Sequence, residues 1–438
     1  MVIFITLVAI IVVAFFVLSR KEKLPKSQNN RLNTGTIDDK NIKIVHVTDI
    51  HYLSPSLTDY GKSFVDTIEK SDGKMMRHID QIMDAFVLEM IRTKPDLVIV
   101  SGDMTYNGEK ESHIGLANKF KILKDKGIKV LVLPGNHDLE NEMALAFEGH
   151  TTRPVETVTI EEFEEIYKDY GYGKDDPDVV SRDKKSLNYV YQLGNKCHLI
   201  MVETSTKGND QTISNSSYRW IEKWLRKAKD MNMRVIGVSH QNILAHNKLF
   251  IAGYKITNSS RLVDLYNKYN VRINLSGHMH IQHMAEHKRV HDIALACLGL
   301  YPNIYGVLDM DLRNNMTYHT ESLDVAYWMK KYKHQDSDLL DFENTSREYF
   351  VRCTRLQTEK QLAKLDLSKE DKEMMMDFMV DTNIHYFSGS LDKRPDLSLD
   401  NPAYKLWMDH CERTFTGSYL NSIYTDTISD HNRLEIFQ

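Results

Sequence analysis

Five short apolar runs in this 438-residue chain each end in a group able to bind a metal. "IVHVT" runs into Asp49-Ile50-His51, "LVIVS" into Gly102-Asp103 and "VLVLP" into Gly135-Asn136-His137-Asp138. "VIGVS" runs into His240, and "INLS" into Gly277-His278-Met279-His280. His278 and His280 alternate, a spacing that cannot share one helix face but lets both side chains leave a loop toward one pocket. Any single ending has an ordinary explanation: Asp49 could cap a helix, Asn136 hold a turn, His240 sit satisfied in the core. Five converging on one sheet edge point to a ligand site, because open α/β sheets bind ligands at the carboxyl ends of their strands. Glycines before Asp103, Asn136 and His278 let the backbone turn sharply there.

The residue types select the chemistry. Imidazole, carboxylate and amide oxygen without thiolate suit manganese, iron or zinc over copper or an iron–sulfur cluster. Two such ions about 3.5–4 Å apart, clamping the attacking and leaving oxygens, are the usual device for displacement at a phosphate ester. The device needs a carboxylate shared between both ions, and Asp103 is the candidate. A bridging water then yields hydroxide near neutral pH as the nucleophile. The leaving oxygen needs a proton, and His137 beside Asp138 fits that task.

Those groups need a frame. The runs 41–48, 96–101, 129–133, 197–203, 233–239 and 272–276 are apolar on both faces, as strands in a covered sheet are. Segments 74–93, 112–126 and 216–230 carry apolar residues at helical spacing. The alternation predicts an α/β layered fold. Residues 140–188 break the rhythm and are expected to form an inserted cap or lid beside the site. From about 325 the strands are expected to cease: 325–332, 346–365, 368–387 and 401–415 look helical, with Ser368 an N-cap. The methionines at 374–376 and 379 are expected to fill a core. The division is then a catalytic domain at 42–322 and a helical C-terminal domain at 323–438.

Composition excludes some functions. A net charge of −5 does not draw the chain to a nucleic acid polymer, and none is expected as a partner. Cys197, Cys297, Cys353 and Cys411 lie far apart and read as buried free thiols. Residues 2–19 are uncharged and nearly all apolar, so residues 1–19 are expected to anchor the chain in a membrane, with a signal sequence as the alternative. The polar stretch 20–41 reads as a linker. Its Arg20, Lys21, Lys23, Lys26 and Arg31 favour a cytoplasmic domain, with an extracytoplasmic placement left open.

In their order, "DIH", "GDMTYNG", "GNHD", "SH" and "GHMH" resemble the signature of the calcineurin-like metallophosphoesterase superfamily, over roughly residues 42–320. The resemblance implies a two-sheet β-sandwich flanked by helices around a dinuclear centre. By motif, Asp49, His51, Asp103 and His280 would hold the first ion. Asp103, Asn136, His240 and His278 would hold the second, with Asn136 and His137 at the substrate phosphate and His137 assisting the leaving group. Within the superfamily the chain looks most like bacterial cyclic-nucleotide phosphodiesterases of the third class, which implies a small phosphate-ester substrate such as a cyclic mononucleotide. Residues 52–75 are expected to form an extra loop near the mouth. Tyr106, Asn107, His113, His246 and His283 are further polar candidates, with a supporting or surface role as the plainer reading. The alternatives are a broad phosphomonoesterase, another nucleotide or phospholipid hydrolase, or a membrane-tethered scaffold with structural metals. The oligomeric state is left open.

Overall fold

The computed structural model describes residues 40–70, 73–205 and 211–437. Among them the strands are β1 (Ile42–Val47), β2 (Leu97–Ser101), β3 (Lys129–Leu133), β4 (Leu145–Glu148), β5 (Thr151–Pro154), β6 (Val179–Arg182), β7 (Tyr189–Leu193), β8 (Cys197–Val202), β9 (Arg234–Ser239), β10 (Ile273–Ser276), β11 (His283–His287), β12 (Val290–Ala294), β13 (Ile304–Met310), β14 (Met316–Ser322) and β15 (Arg433–Ile436). One sheet runs β15-β14-β13-β1-β2-β3 and the other β11-β12-β10-β9-β8-β7-β6. Strands β1, β2 and β3 are parallel in the first, and β12, β10, β9 and β8 in the second. The apolar runs become these central strands because both their faces are covered; β2 and β8 are buried at every residue.

Ile44, Val98 and Leu131 of one sheet share a buried cluster with Met201, Val238 and Leu275 of the other. Helices Ile79–Thr93 and Lys110–Asp125 add Ile82, Phe86, Leu116 and Phe120 to it. Helices Asn215–Asp230 and Ser259–Lys268 pack Ile221, Leu225, Leu262 and Tyr266 against Ile200, Val202 and Val235. The fold is therefore the expected two-sheet sandwich of mixed sheets flanked by helices, with a helical C-terminal region.

That region comprises helices Val325–Tyr332, Phe342–Leu362, Lys369–Phe387, Pro402–Cys411 and Phe415–Tyr424. Ser368 caps the third of them by accepting from the Asp371 amide, with Glu370 and Asp371 in the first turn. Met375, Met376 and Met379 fill a separate core with Trp407 and Leu420, whereas Met374 is 39% exposed. Ile281, Cys297 and Leu300 belong to this same core, and Met279 packs on it. The C-terminal helices thus rest directly on the segment that follows β10.

Three expectations are corrected. Strands do not cease at 325, because β15 pairs antiparallel with β14. Residues 140–188 do not stand apart as one cap. Phe147 of the β4–β5 hairpin packs edge-on against Phe64 and Tyr106. Phe163 and Tyr167 pack on His113, and β6 joins the second sheet. The buried Phe147, Phe163, Tyr167, Tyr170 and Tyr172 give the segment an apolar face that docks it to the body. The expectation of a single N-terminal membrane anchor, on the cytoplasmic side or otherwise, is not supported. No helix among the described residues is long and apolar enough to cross a membrane, and residues 1–19 lie outside the described residues.

Trp407 is fully buried and donates its Nε1–H to the Met375 carbonyl at 2.9 Å. Trp407→Ala should destabilise the C-terminal core by about 3–5 kcal/mol. Denaturant unfolding followed by tryptophan fluorescence and circular dichroism checks this; a loss under 1 kcal/mol, on the order of an exposed-site change, would contradict the packing.

Candidate metal centre

Each of the central parallel strands β1, β2 and β10 leads into left-handed backbone. Asp49 (φ 50°), His51 (50°), Asp103 (45°), His278 (69°) and His280 (57°) all carry positive φ. Non-glycine residues hold this conformation at a cost of about 1–3 kcal/mol, and such residues cluster at functional sites. Residues two apart in an extended strand stand roughly 6–7 Å apart; the turns fold the chain back and bring their ligand atoms closer. Gly277 and Gly135 permit the approach. A Cβ on Gly277 would fall on the Thr48 hydroxyl and the Asp49 carboxylate, and one on Gly135 would fall on Asp103.

Two clusters result. Asp49, His51, Asp103 and His280 each bring one ligand atom within 4.8 Å of the others, and Asp103, His240 and His278 do the same. In the first, His51 Nε2 stands 3.0 Å from His280 Nε2 and 3.9 Å from Asp103 Oδ2, and His280 Nε2 stands 3.2 Å from Asp49 Oδ1. In the second, His240 Nε2 lies 3.2 Å from Asp103 Oδ2, 3.2 Å from His278 Nδ1 and 3.1 Å from Asn136 Oδ1. Asp103 Oδ2 belongs to both. Ligands held about 2.0–2.2 Å from one ion are separated from each other by roughly 3–4 Å, so the spacings fit a pair of cations sharing one carboxylate oxygen.

The atoms facing away from these clusters are already held. Asp49 Oδ2 accepts from the Thr48 hydroxyl and the His278 amide, both at 2.8 Å. Asp103 Oδ1 accepts from the His137 amide at 2.9 Å. His240 Nδ1–H donates to the Ser101 carbonyl at 3.0 Å, and His278 Nε2–H to the Gly253 carbonyl at 2.9 Å. Such outer partners fix the tautomer and the aim of metal-binding imidazoles. The inward Asp49 Oδ1 is buried with no hydrogen bond of good geometry, an orphan that a cation would satisfy. The donor set therefore fits two divalent ions.

Electrostatics agree. Burial raises the pKa of Asp49 and Asp103, but the neighbouring histidines outweigh it and hold both below the ordinary carboxylate value. Burial, together with the charge of Lys74, holds His51 well below the usual imidazole range. Burial and the charge of His240 take His278 down to about 4. His240 goes the other way: burial lowers it, yet Asp103 and Asp49 push it up to about 9.

His137 stands at the edge of the pair. Its Nε2 is 3.9 Å from Asp103 Oδ2, and its ring lies edge-on to His51 with centroids 4.8 Å apart. The expected pairing of His137 with Asp138 is corrected. The Asp138 carboxylate accepts from the amides of Met104, Thr105 and Gly135 and from the Thr105 hydroxyl, so it fastens the loops after β2 and β3 together. His137 Nδ1 is held instead by the Tyr106 carbonyl at 2.8 Å and by Asn107 Oδ1 at 2.9 Å. His113 is a satisfied core histidine, bonded to the Tyr167 hydroxyl and the Asp138 carbonyl. His246 and His283 face each other at 3.0 Å, with His246 also beside Asp292 and His283 beside Asp426. The sequence reading missed Gly253 and Tyr254, whose ring lies 5.4 Å from that of His278. A backbone carbonyl leaves no mark in a sequence, and a lone tyrosine in an irregular loop leaves little.

Comparison with known proteins gives two family matches. The profile described as calcineurin-like phosphoesterase matches residues 42–282, and one described as the C-terminal domain of cyclic nucleotide phosphodiesterase matches residues 324–430. A probable glycerophosphodiester phosphodiesterase GpdQ of Arcobacter nitrofigilis is 25% identical over 300 residues, covering 66% of this chain and 89% of the relative. A probable cyclic nucleotide phosphodiesterase of Ruthia magnifica is 30% identical over 95 residues, 22% of this chain and 38% of the relative. Among solved structures, a dimetal phosphatase from Danio rerio superposes with a TM-score of 0.46 at 12% identity, over 65% of this chain and 97% of that one.

Asp103→Asn should weaken both ions by at least about 10–100-fold, the loss typical of an outer partner alone. Equilibrium dialysis with elemental analysis checks this, and two ions retained at full occupancy would remove Asp103 from the shared position. The metal-free protein keeps His240 protonated up to about pH 9, so an incoming cation must displace that proton. Affinity should therefore rise with pH from neutrality and flatten above the His240 value, by up to about tenfold per pH unit. Titration calorimetry at pH 7 in buffers of different ionisation enthalpy should show proton release; none released would contradict this account.

Proposed function

The chain belongs to the calcineurin-like phosphoesterase family, and from that premise we propose that it hydrolyses a phosphodiester bond of a small nucleotide-type substrate, with cyclic mononucleotides foremost. It is a metal-dependent phosphoric ester hydrolase using two divalent ions. When bound, the pair supplies Lewis acidity to the phosphoryl oxygens and activates a water for attack.

The observation that carries the reading is the state of His137. Its backbone amide is bonded to the shared carboxylate of Asp103, and its Nδ1 is fastened by two oxygen acceptors. Nδ1 therefore carries a hydrogen, and Nε2 is the ring nitrogen left for the substrate. The side chain is 35% exposed, so this nitrogen is open to substrate and solvent while its ring direction is fixed. A metal site that served structure alone has no use for a pinned, accessible acid at its edge. His137 holds the phosphate during binding and gives the Nε2 proton to the departing oxygen. Asn136, one residue earlier, places its carboxamide oxygen 3.1 Å from His240 Nε2.

Two features support a nucleotide over a smaller alcohol as the esterified group. Partly exposed Tyr254 stands against His278 and offers an aromatic face on which a base stacks. The C-terminal region matches the profile named for cyclic nucleotide phosphodiesterases. The similarity to a glycerophosphodiester phosphodiesterase favours the same bond with glycerol as the esterified group, which makes that diester the natural competitor in a test.

Purified, metal-loaded protein assayed against cyclic nucleotides, a glycerol phosphodiester, an aryl phosphodiester and an aryl phosphomonoester should turn over cyclic nucleotides with the highest kcat/KM. Preference for the monoester would overturn the diesterase reading, and preference for the glycerol diester would overturn the nucleotide one. His137→Ala should leave bound metal intact and lower kcat by about 10²–10⁴. A large loss of metal would reassign it as a ligand.

A further inference from the structure

We propose that the C-terminal helices are a positioning element for the metal pair, acting on its second position through Asn247 and the loop 247–255. This inference rests on the dimetal reading of the site. The loop lies between two anchors. At its far end the Asn242 amide donates to the Tyr254 carbonyl at 3.3 Å, and the Asn242 carboxamide donates to Ser276 Oγ at 2.9 Å and to the Gly277 carbonyl at 3.2 Å. That anchor belongs to the sheet. At its near end Asn247, 3% exposed, donates from Nδ2 to the Tyr386 hydroxyl and to Ser422 Oγ, each at 2.9 Å. Its Oδ1 accepts from the Leu249 amide at 2.8 Å, so one side chain both shapes the loop and ties it to two C-terminal helices. Lys248 adds a bond to the Thr425 carbonyl, and Phe250 packs on Phe415 and Tyr419.

Between the anchors the loop does one thing to the centre. The Gly253 carbonyl takes the Nε2–H of His278, and the Tyr254 ring leans on the His278 ring. The other nitrogen of that imidazole, Nδ1, is the atom that faces His240 Nε2. A carbonyl on one nitrogen sets the tautomer, leaves the lone pair on the other, and fixes the ring plane. Displacing Gly253 therefore misdirects the ligand atom of His278. Among the described residues, loop 247–255 makes no hydrogen bond to Asp49, His51, Asp103 or His280, the members of the first cluster. A second tie, from the neighbouring residue of the same helix, holds the backbone after His280: the Gln282 amide donates to the Phe387 carbonyl at 3.0 Å. The two ties reach different segments, and Asn247 governs the His278 side.

The test is site-resolved metal binding. Cobalt(II) is titrated into the metal-free full chain and its variants Asn247→Ala, Tyr386→Phe and Ser422→Ala, singly and as the Tyr386→Phe/Ser422→Ala pair. Absorption in the visible range and calorimetry resolve the two binding steps, and no substrate is required. The expected result is one step weakened by about 10–100-fold with the other unchanged, an altered cobalt spectrum for the weakened step, and a graded effect from single to double variant. The single hydroxyl removals carry the same reading should Asn247→Ala not fold, since each leaves the buried packing nearly unchanged. Both steps weakened equally, or neither weakened in a folded variant, overturns the proposal. Wild type binding fewer than two ions would instead sink the dimetal reading itself, and wild type binding two ions without cleaving any diester would sink the proposed reaction alone. The three failures are distinguishable.

Discussion

The structure depends on keeping two carboxylates ionised where water does not reach. Asp49 and Asp103 are 0% and 1% exposed, and an uncompensated charge there would cost several kcal/mol. The fold answers in halves. One oxygen of each is committed to protein donors: the Thr48 hydroxyl and the His278 amide for Asp49, the His137 amide for Asp103. The other oxygen faces imidazoles, whose attraction outweighs burial and holds both acids below the ordinary carboxylate value. This half-satisfied state is unfavourable to leave open and favourable to fill with cations. It also makes the tautomer of every nearby histidine matter, because only a ring whose outer nitrogen bears the hydrogen can present a lone pair inward.

Neither sheet builds the centre alone. The first sheet contributes Asp49, His51, Asp103, Asn136 and His137 from the ends of β1, β2 and β3, and the second contributes His240, His278 and His280 from β9 and β10. Each half carries ligands of both clusters, so the sandwich core between the sheets is what sets the ligand distances. Asp138 belongs to that frame. Its carboxylate fastens the loops after β2 and β3 through three amides and a hydroxyl. An acid adjacent in sequence to His137 thus serves the backbone that holds His137.

Much of this was legible from residue order. The doubly covered strands read as unbroken apolar runs, and their polar endings, taken together, located the clusters that the structure assembles. Ser368 followed by two acids marked a helix start that the structure contains. What escaped reading has physical causes. β15 is four residues long and mostly exposed, so nothing in its composition separates it from a tail until β14 offers an edge. Residues 140–188 looked like an insertion because polar turns interrupt them, while the aromatic side chains that dock them are spaced irregularly and show no period. The partner of His137 was misassigned because adjacency was taken for contact. In the turn after β3 the two neighbouring side chains diverge, and Asn107, thirty residues earlier, supplies the oxygen instead.

The same distinction separates the atoms that face the centre from those that hold them in place. Inward-facing atoms come from short blocks at strand ends, and chemistry common to many phosphoesterases follows from them. Outward-facing partners come from elsewhere: a carbonyl of loop 247–255 for His278, a loop carboxamide for His137, and the charge of Lys74 acting on His51. These groups lie on loops, and loops are where substrate choice is ordinarily made. An element that supports a ligand from behind and borders the substrate from in front couples the two. Tyr254 would occupy that place in the proposed reaction: its loop holds His278 through Gly253, and its ring lies against that of His278. In the proposed reading metal geometry and substrate preference are therefore coupled, and the C-terminal helices reach His278 through one short loop.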